Sequence, residues 1–350
     1  MIQGFGTLRR DGETRLGFRR GDAVADLGPG SLDDLLPQGR EAWERATERA
    51  LAAETSLALD EAEAQLPFAV ADYVDFYSSL EHATNLGRMF RPDSEPLLPN
   101  WRHLPVGYHG RAGTVVVSGT PIRRPRGQAK PPDADAPVFG PSRRLDIELE
   151  LGFVVGVPSR LGEPVPASAF RDHVFGLVLV NDWSARDLQA WEYVPLGPFL
   201  GKSFATSISA WVTPLALLED RRVPAPAQDP EPLPHLRIDG DGAFDLPLEV
   251  ELNGETVVRG NARGLYWTMP QQLAHATSNG ASIRTGDLMA SGTISGAERG
   301  SEGSLIELTR NGAEPLRLAD GGERTFLEDG DEVVLRSDVL AEVRGRILPA

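Results

Sequence analysis

The sequence predicts a mainly β protein with some α, in which a small N-terminal module (residues 1–70) precedes a large, mainly antiparallel or mixed β-roll or barrel-like unit (71–350). Three observations carry this. Beyond residue 71, short apolar runs recur between turns dense in Gly, Pro, Asn and Asp: "GTVVVSG", "LELGFVVGV", "VFGLVLVND", "LPLEVELNG", "GSLIELTR" and "DEVVLRS", all read as strands. Few stretches there are long enough to be helices covering a parallel sheet. Before residue 71, by contrast, one long segment carries apolar residues at helical spacing.

Residues 1 to about 30 alternate short apolar stretches with charged turns ("GFGTLRRDGETRLGFRRGDAVADLG"), which reads as a small β-hairpin unit. The segment from Ser31 to Leu66 follows with one or two helices, Ser31 as a possible N-cap and Pro67 as the stop. "DYVDFYSSLEHATN" then places Asp75, Tyr77 and His82 within eight positions; His82 fits either a satisfied buried histidine or a site residue. "PVGYHGRAG" and the later "ASGTISG" fit tight turns or backbone N–H groups presented to an anion. His109 and His275 read as structural. "PIRRPRGQAK" is basic but interleaved with Pro and Gly, which suits a solvated loop.

In "RRLDIELELGFVVGV", Asp146, Glu148 and Glu150 fall at every second position, so a strand puts the three carboxylates on one face and Ile147, Leu149 and Leu151 on the other. A solvated face would leave nothing to explain. The apolar run that follows, however, draws the acidic end inward, and buried carboxylates repel unless a positive charge lies among them. Asp182 ends the run "VFGLVLVND", where it fits a turn, an N-cap or a site at the mouth of a core. In "VPLGPFLGKSFATS", "GKS" resembles the end of a phosphate-binding loop, but residue 196 is Leu where Gly is required, so a nucleotide site is rejected. Lys202 in apolar surroundings either snorkels or aims its ammonium at an anion. Residues 219–245, rich in Pro and Asp, read as a surface excursion. No internal repeat is apparent.

Composition excludes several functions. With 350 residues, 41% of them hydrophobic and 25% charged, the chain resembles an ordinary globular protein with a large core. A net charge of -16 opposes general attraction to nucleic acid or anionic membrane. No apolar run has transmembrane length and the N-terminus lacks a signal-peptide core, so a cytoplasmic location is expected. With no cysteine, disulfides, thiolate chemistry and Cys-type zinc sites are ruled out. None of the six histidines forms H-E-x-x-H. Asp75, Glu148, Glu150 and Asp182, without a soft ligand, point to a hard cation, Ca2+ and/or Mg2+.

Six segments, in order, resemble the fumarylacetoacetate hydrolase family: "DYVDFYSSLEHATNLGRMFRP", "LLPNWRHLPVGYHGRAGTVVVSGTPIRRPRGQ", "LDIELELGFVVG", "NDWSARDLQAWEYVPLGPFLGKSF", "YWTMPQQLAHATSNG" and "GDLMASGTISG". The resemblance runs from about 71 to 310, and its length points to the branch that hydrolyses fumarylacetoacetate rather than to the wider superfamily. It implies a small SH3-like N-terminal domain, a mixed β-roll catalytic domain and a homodimer. It further implies a divalent ion on Asp75, Glu148, Glu150 and Asp182, with Lys202 and Thr206 near that cation or a second magnesium. Glu148 and Glu150 would then share a strand face because both bind one ion, whereas Asp146 has no ligand role. By the same resemblance, His82, Glu307, Arg186, Gln189 and Lys202 are catalytic, and Tyr77, Arg91, Tyr108, Gln189, Tyr193 and Thr293 contact substrate. The implied reaction is hydrolysis of a carbon–carbon bond in a small dianionic diketo acid, giving fumarate and acetoacetate. The N-terminal module is shorter than in the animal enzymes, and "GAERGSEGS" keeps its length but not its residue types. Other readings are an acylpyruvate or β-diketo-acid hydrolase or decarboxylase of the same superfamily, separable by a substrate panel, and a metal-binding scaffold, which would have no use for a base at His82.

Overall fold

A computed structural model describes residues 1–319 and 321–350. The N-terminal hairpin pairs Gln3–Arg10 with Glu13–Arg20 through the two-residue turn Asp11-Gly12, both at positive φ, the backbone that an Asp-Gly hairpin turn requires. Ala23–Pro29 extends this sheet, and Leu57–Ala58 and Glu63–Ala64 close its two edges, for five strands in all. The helical segment is split. Ser31 caps Leu32–Leu35, its backbone N–H donating to Asp34, and Gly39 at φ 82° separates that turn from the helix Arg40–Ala52. The two edge strands that follow are too short to leave a periodic signal in the sequence.

Beyond residue 71 an eight-stranded mixed sheet runs Gly107–His109, Tyr73–Phe76, Leu288–Ala290, Leu149–Val155, Val174–Asp182, Thr206–Ile208 and Val115–Val117, with Thr213–Pro214 also on Val174–Asp182. Two of its pairings, Tyr73–Phe76 with Leu288–Ala290 and Thr206–Ile208 with Val115–Val117, are parallel. A second sheet orders Glu255–Asn261, Pro247–Leu252, Glu332–Ser337, Val343–Leu348 and Ile122–Arg123. The two long central strands are buried along their whole length, as continuous apolar runs demand.

Side-chain alternation divides the two cores. Leu149, Leu151, Phe153 and Val155, with Leu177 and Leu179, face the second sheet, packing with Leu248, Val250 and Leu335. Val154, Phe175, Val178 and Val180 face the other way and pack with Phe5, Phe18, Leu32 and Trp43 of the N-terminal module. Each such side chain, fully buried, contributes about 1.5–3 kcal/mol. The module is therefore bonded to the central sheet by a shared core and by the reciprocal backbone bonds of Phe5 and Val212. Glu150, Asp182 and Asp75 share parity with Val154, Val180 and Tyr73, which places them on this same face of the sheet.

Three readings are corrected. "GSLIELTR" is not a strand: Leu305–Leu308 is one helical turn capped by Ser304. "PIRRPRGQAK" supplies the strand Ile122–Arg123 and one arm, Arg126–Ala129, of a hairpin with Val138–Pro141. The 219–245 excursion is anchored, with Leu236 buried against Trp267 and Ala243–Phe244 paired to Arg222–Val223. Among the described residues no helix is long and apolar enough to cross a membrane.

Candidate active site

Asp75, Glu148, Glu150 and Asp182 converge, each offering an oxygen within 4.8 Å of the others, and all four are buried. Four different segments bring them together. Asp75 comes from Tyr73–Phe76, Glu150 from Leu149–Val155 and Asp182 from the end of Val174–Asp182. Glu148 lies in a break of the acidic strand: Leu145–Asp146 pairs with Ser184–Ala185, whereas Leu149–Val155 pairs with Val174–Asp182. The continuous strand read from D-x-E-x-E is thus interrupted, and Asp146 is absent from the cluster.

The four carboxyls have unequal partners. Lys202 Nζ lies 2.5 Å from Glu148 and 2.5 Å from Asp182, and donates to Ser184 Oγ at 2.9 Å. Arg186 Nη2 lies 2.8 Å from Glu148. Burial alone would raise the Glu148 carboxyl, but Lys202 and Arg186 hold it well below the usual range. Asp182 is raised by burial, against the pull of Lys202, and accepts from Thr206 Oγ1 at 2.8 Å, the residue directly opposite it in the ladder, and from Tyr108 at 3.3 Å. Asp75 and Glu150 rise far above the carboxylate range, through burial first and their acidic neighbours second. Each keeps one buried oxygen with no hydrogen-bond partner, Asp75 Oδ1 and Glu150 Oε1. A hard all-oxygen set with two unsatisfied buried carboxylate oxygens fits a divalent cation. Burial works to lower the Lys202 ammonium, but its acidic neighbours raise it instead, so it stays charged; lacking a free lone pair, it stands among the carboxylates as a counter-charge rather than a ligand.

Beside this cluster lies a second buried pair. Ser79 caps the helix Leu80–Phe90, and the His82 N–H donates to its Oγ at 3.3 Å. His82 Nδ1 lies 2.6 Å from Glu307 Oε2; because a carboxylate only accepts, Nδ1 is the donor of this bond. Glu307 also accepts from Asn85, Ser295 and Ser304 at 2.7–2.9 Å. Burial would raise its carboxyl, but His82 and these donors lower it. Sequence reasoning missed all three donors. Two had a signal: S-x-x-E at 304–307 is a helix-start pattern, and Asn85 lies one helical turn after His82.

The remaining residues surround these two groups. The Tyr77 ring packs edge-on to His82 at 5.1 Å, and burial raises its phenol, which also feels the charges of Glu307, Glu148, Arg186 and Arg91. Arg91 Nη2 is held by the Pro96 carbonyl at 2.7 Å, leaving a buried Nε without a partner, as is Thr293 Oγ1. Gln189 accepts from Arg186 at 3.2 Å. Tyr193 is partly exposed just beyond the helix Arg186–Glu192. In "ASGTISG", the Gly292 N–H donates to Glu150 at 3.1 Å, so the anion it meets belongs to the protein. His109 and His275 take no part. A separate cleft of about 420 Å³ lies between 166–171 and the 219–245 excursion; none of the four acidic residues lines it, and its Arg171 is paired with Glu219.

Comparison with known proteins bears on the chain as a whole. The sequence model of the family described as "Fumarylacetoacetate (FAA) hydrolase C-terminal" matches residues 72–348. The chain is 45% identical to a human protein named fumarylacetoacetase, over 98% of this chain and 94% of that one. To the rat protein of the same name it is 54% identical, over 81% and 71%. Among solved structures, a fumarylacetoacetate hydrolase from psychrophilic Exiguobacterium antarcticum superposes with a TM-score of 0.60 at 19% identity, covering 99% of this chain and 100% of that one, which supports the fold.

Proposed function

The chain belongs to the fumarylacetoacetate hydrolase family, and from that premise we propose that it cleaves the carbon–carbon bond of fumarylacetoacetate with water, giving fumarate and acetoacetate in the last step of tyrosine and phenylalanine catabolism. The observation that carries hydrolysis, rather than metal binding alone, is the buried His82–Glu307 pair beside a buried four-carboxylate cluster. A binding protein has no use for an oriented base.

Asp75, Glu148, Glu150 and Asp182 would hold the cation, Ca2+ or Mg2+, with Thr206 and Lys202 fixing Asp182 and Glu148. When bound, such an ion supplies Lewis-acid polarisation of the substrate's ketone oxygens. His82 Nε2 takes a proton from water, and Glu307 stabilises the resulting imidazolium. The water oxygen adds to the ketone carbon on the fumaroyl side. The adjacent carbon–carbon bond then breaks, its electron pair leaving as the acetoacetate enolate, which recovers the proton from His82. Arg186, Gln189 and Lys202 stabilise the oxyanion and that enolate. Arg91, Tyr77, Tyr108, Tyr193 and Thr293 receive the carboxylates of the dianion; the unpartnered Arg91 Nε and Thr293 Oγ1 support this role. A homodimer accompanies this reading, supported by the exposed Trp191, Val194, Leu196 and Phe199 near the helix that carries Gln189.

The test is loss of fumarylacetoacetate absorbance with purified protein and Mg2+ or Ca2+, with both products identified. Turnover confined to other acylpyruvates would assign the chain to a sister activity. No turnover of any β-diketo acid would leave only metal binding.

A further inference from the structure

Asp146 is fully buried, yet it stands outside the acid cluster and the mechanism gives it no task. Its carboxylate receives four donors. Arg186 Nε reaches Oδ2 at 2.7 Å, the Leu305 and Ile147 N–H groups reach Oδ1 at 2.7 and 2.8 Å, and the Ile306 N–H reaches Oδ2 at 3.2 Å. All are donors, so the ionised carboxylate satisfies every one. Each partner leads to a different part of the site. Arg186 continues to Glu148 and Gln189. Leu305 and Ile306 open the single helical turn Leu305–Leu308 that carries Glu307, the partner of His82. One turn of helix does not persist unaided, and two of its orphan N–H groups are held here by Asp146.

We propose that Asp146 is a positioning residue that fixes the Arg186 guanidinium and the Glu307-bearing turn to one carboxylate, and so sets the spacing between the proton-accepting and the charge-stabilising sides of the site. This rests on the hydrolase reading above. A buried ion pair adds little to stability compared with an apolar replacement of the same shape, whereas a carboxylate holding three chain segments together fixes their mutual geometry. Displacements on the order of 1 Å are enough to lower turnover.

The experiment is Asp146→Asn in the full-length, metal-loaded protein. Its Oδ1 still accepts the Ile147 and Leu305 amides, but an NH2 now meets the donors of Arg186 and Ile306. The expected result is a kcat lower by about 10- to 100-fold, the usual cost of losing an outer support, with KM changed by less than about threefold. Calorimetric affinity for Mg2+ or Ca2+ should remain parental. Because Asp146 acts through its partners, combining the change with Arg186→Met or with Glu307→Gln should give less than additive losses. Parental kcat with a lowered thermal midpoint, or additive losses in both double variants, would overturn the proposal by reducing Asp146 to a packing residue. Should the Asn variant not fold, Asp146→Glu carries the same test: it keeps the charge but moves the carboxylate by one methylene relative to Arg186 and the turn, and its kcat should fall at unchanged metal affinity. A parent that turns over no β-diketo acid sinks the hydrolase reading separately. Amide exchange then still decides whether Asp146 holds the turn: faster exchange at Ile306 in Asp146→Asn supports it, and parental protection overturns it.

Discussion

At the scale of single residues, the site divides into carboxylates that already have a positive partner and carboxylates that do not. Glu148 has Lys202 and Arg186, whereas Glu150 has only the Gly292 N–H and a bare buried oxygen. Glu150→Gln should therefore weaken divalent binding strongly while the fold survives, since an amide relieves repulsion in the metal-free protein. Calorimetric titration checks this, and parental affinity would contradict the assignment. His82→Ala should lower turnover by roughly 10²- to 10⁴-fold, the range of general-base catalysis, at near-parental metal affinity. Glu307→Gln should lose part of the same activity, and the double variant should be little worse than His82→Ala, because Glu307 works through the imidazole. Additive losses measured as kcat would show two independent groups.

At the scale of elements, the acid cluster depends on strands held closely enough for their carboxyls to meet. Gly292 follows Leu288–Ala290 at φ 75°, and a Cβ there would stand 2.1 Å from the Phe76 carbonyl oxygen. Gly292→Ala must therefore part Tyr73–Phe76 from its neighbour while also moving the N–H that Glu150 accepts. We expect a stability loss of more than about 1 kcal/mol in denaturant unfolding, together with weakened metal binding; a parental unfolding midpoint would mean that the segment yields without cost. The turn Leu305–Leu308 makes the same point about context. The run "GSLIELTR" alternates well enough to pass for a strand, and short apolar runs do not declare their class by periodicity alone. The distant Asp146 decides for helix by accepting the Leu305 and Ile306 N–H groups that only a helical start presents, while the Ser304 hydroxyl donates to Glu307 one turn on.

At the scale of the whole molecule, five buried carboxylates gather on and beside the central sheet (Asp75, Asp146, Glu148, Glu150 and Asp182) against the cations of Arg186 and Lys202. The excess links metal, protons and stability. In the metal-free protein Asp75 and Glu150 are raised above their unfolded values, so the native state binds more protons than the unfolded one between those two limits. Their contribution to stability is therefore largest below the unfolded carboxylate range and declines as pH rises through the folded one. A bound divalent cation replaces those protons. The thermal midpoint of the loaded protein minus that of the chelated protein should accordingly widen as pH rises between about 5 and 8, and metal binding should release protons, detectable as a buffer-dependent enthalpy. A gap independent of pH would place the ion elsewhere.

The sequence by itself determined the mainly β architecture, the buried central strands and an acidic donor set without thiolate, because each rests on local information: runs of apolar residues, turn residues between them, the absence of cysteine and carboxylates at alternate strand positions. The six ordered segments carried the family. Tertiary structure alone decided where the acidic strand breaks, so that Asp146 leaves the cluster and joins Arg186 to a helical turn some 160 residues away. It alone decided that Asn85, Ser295 and Ser304 hold Glu307, and that the N-terminal module shares its core with the central sheet. The physical reason is the same in each case. A side chain's partners across a buried sheet are set by register and by segments remote in the chain, and neither leaves a mark in the residues nearby.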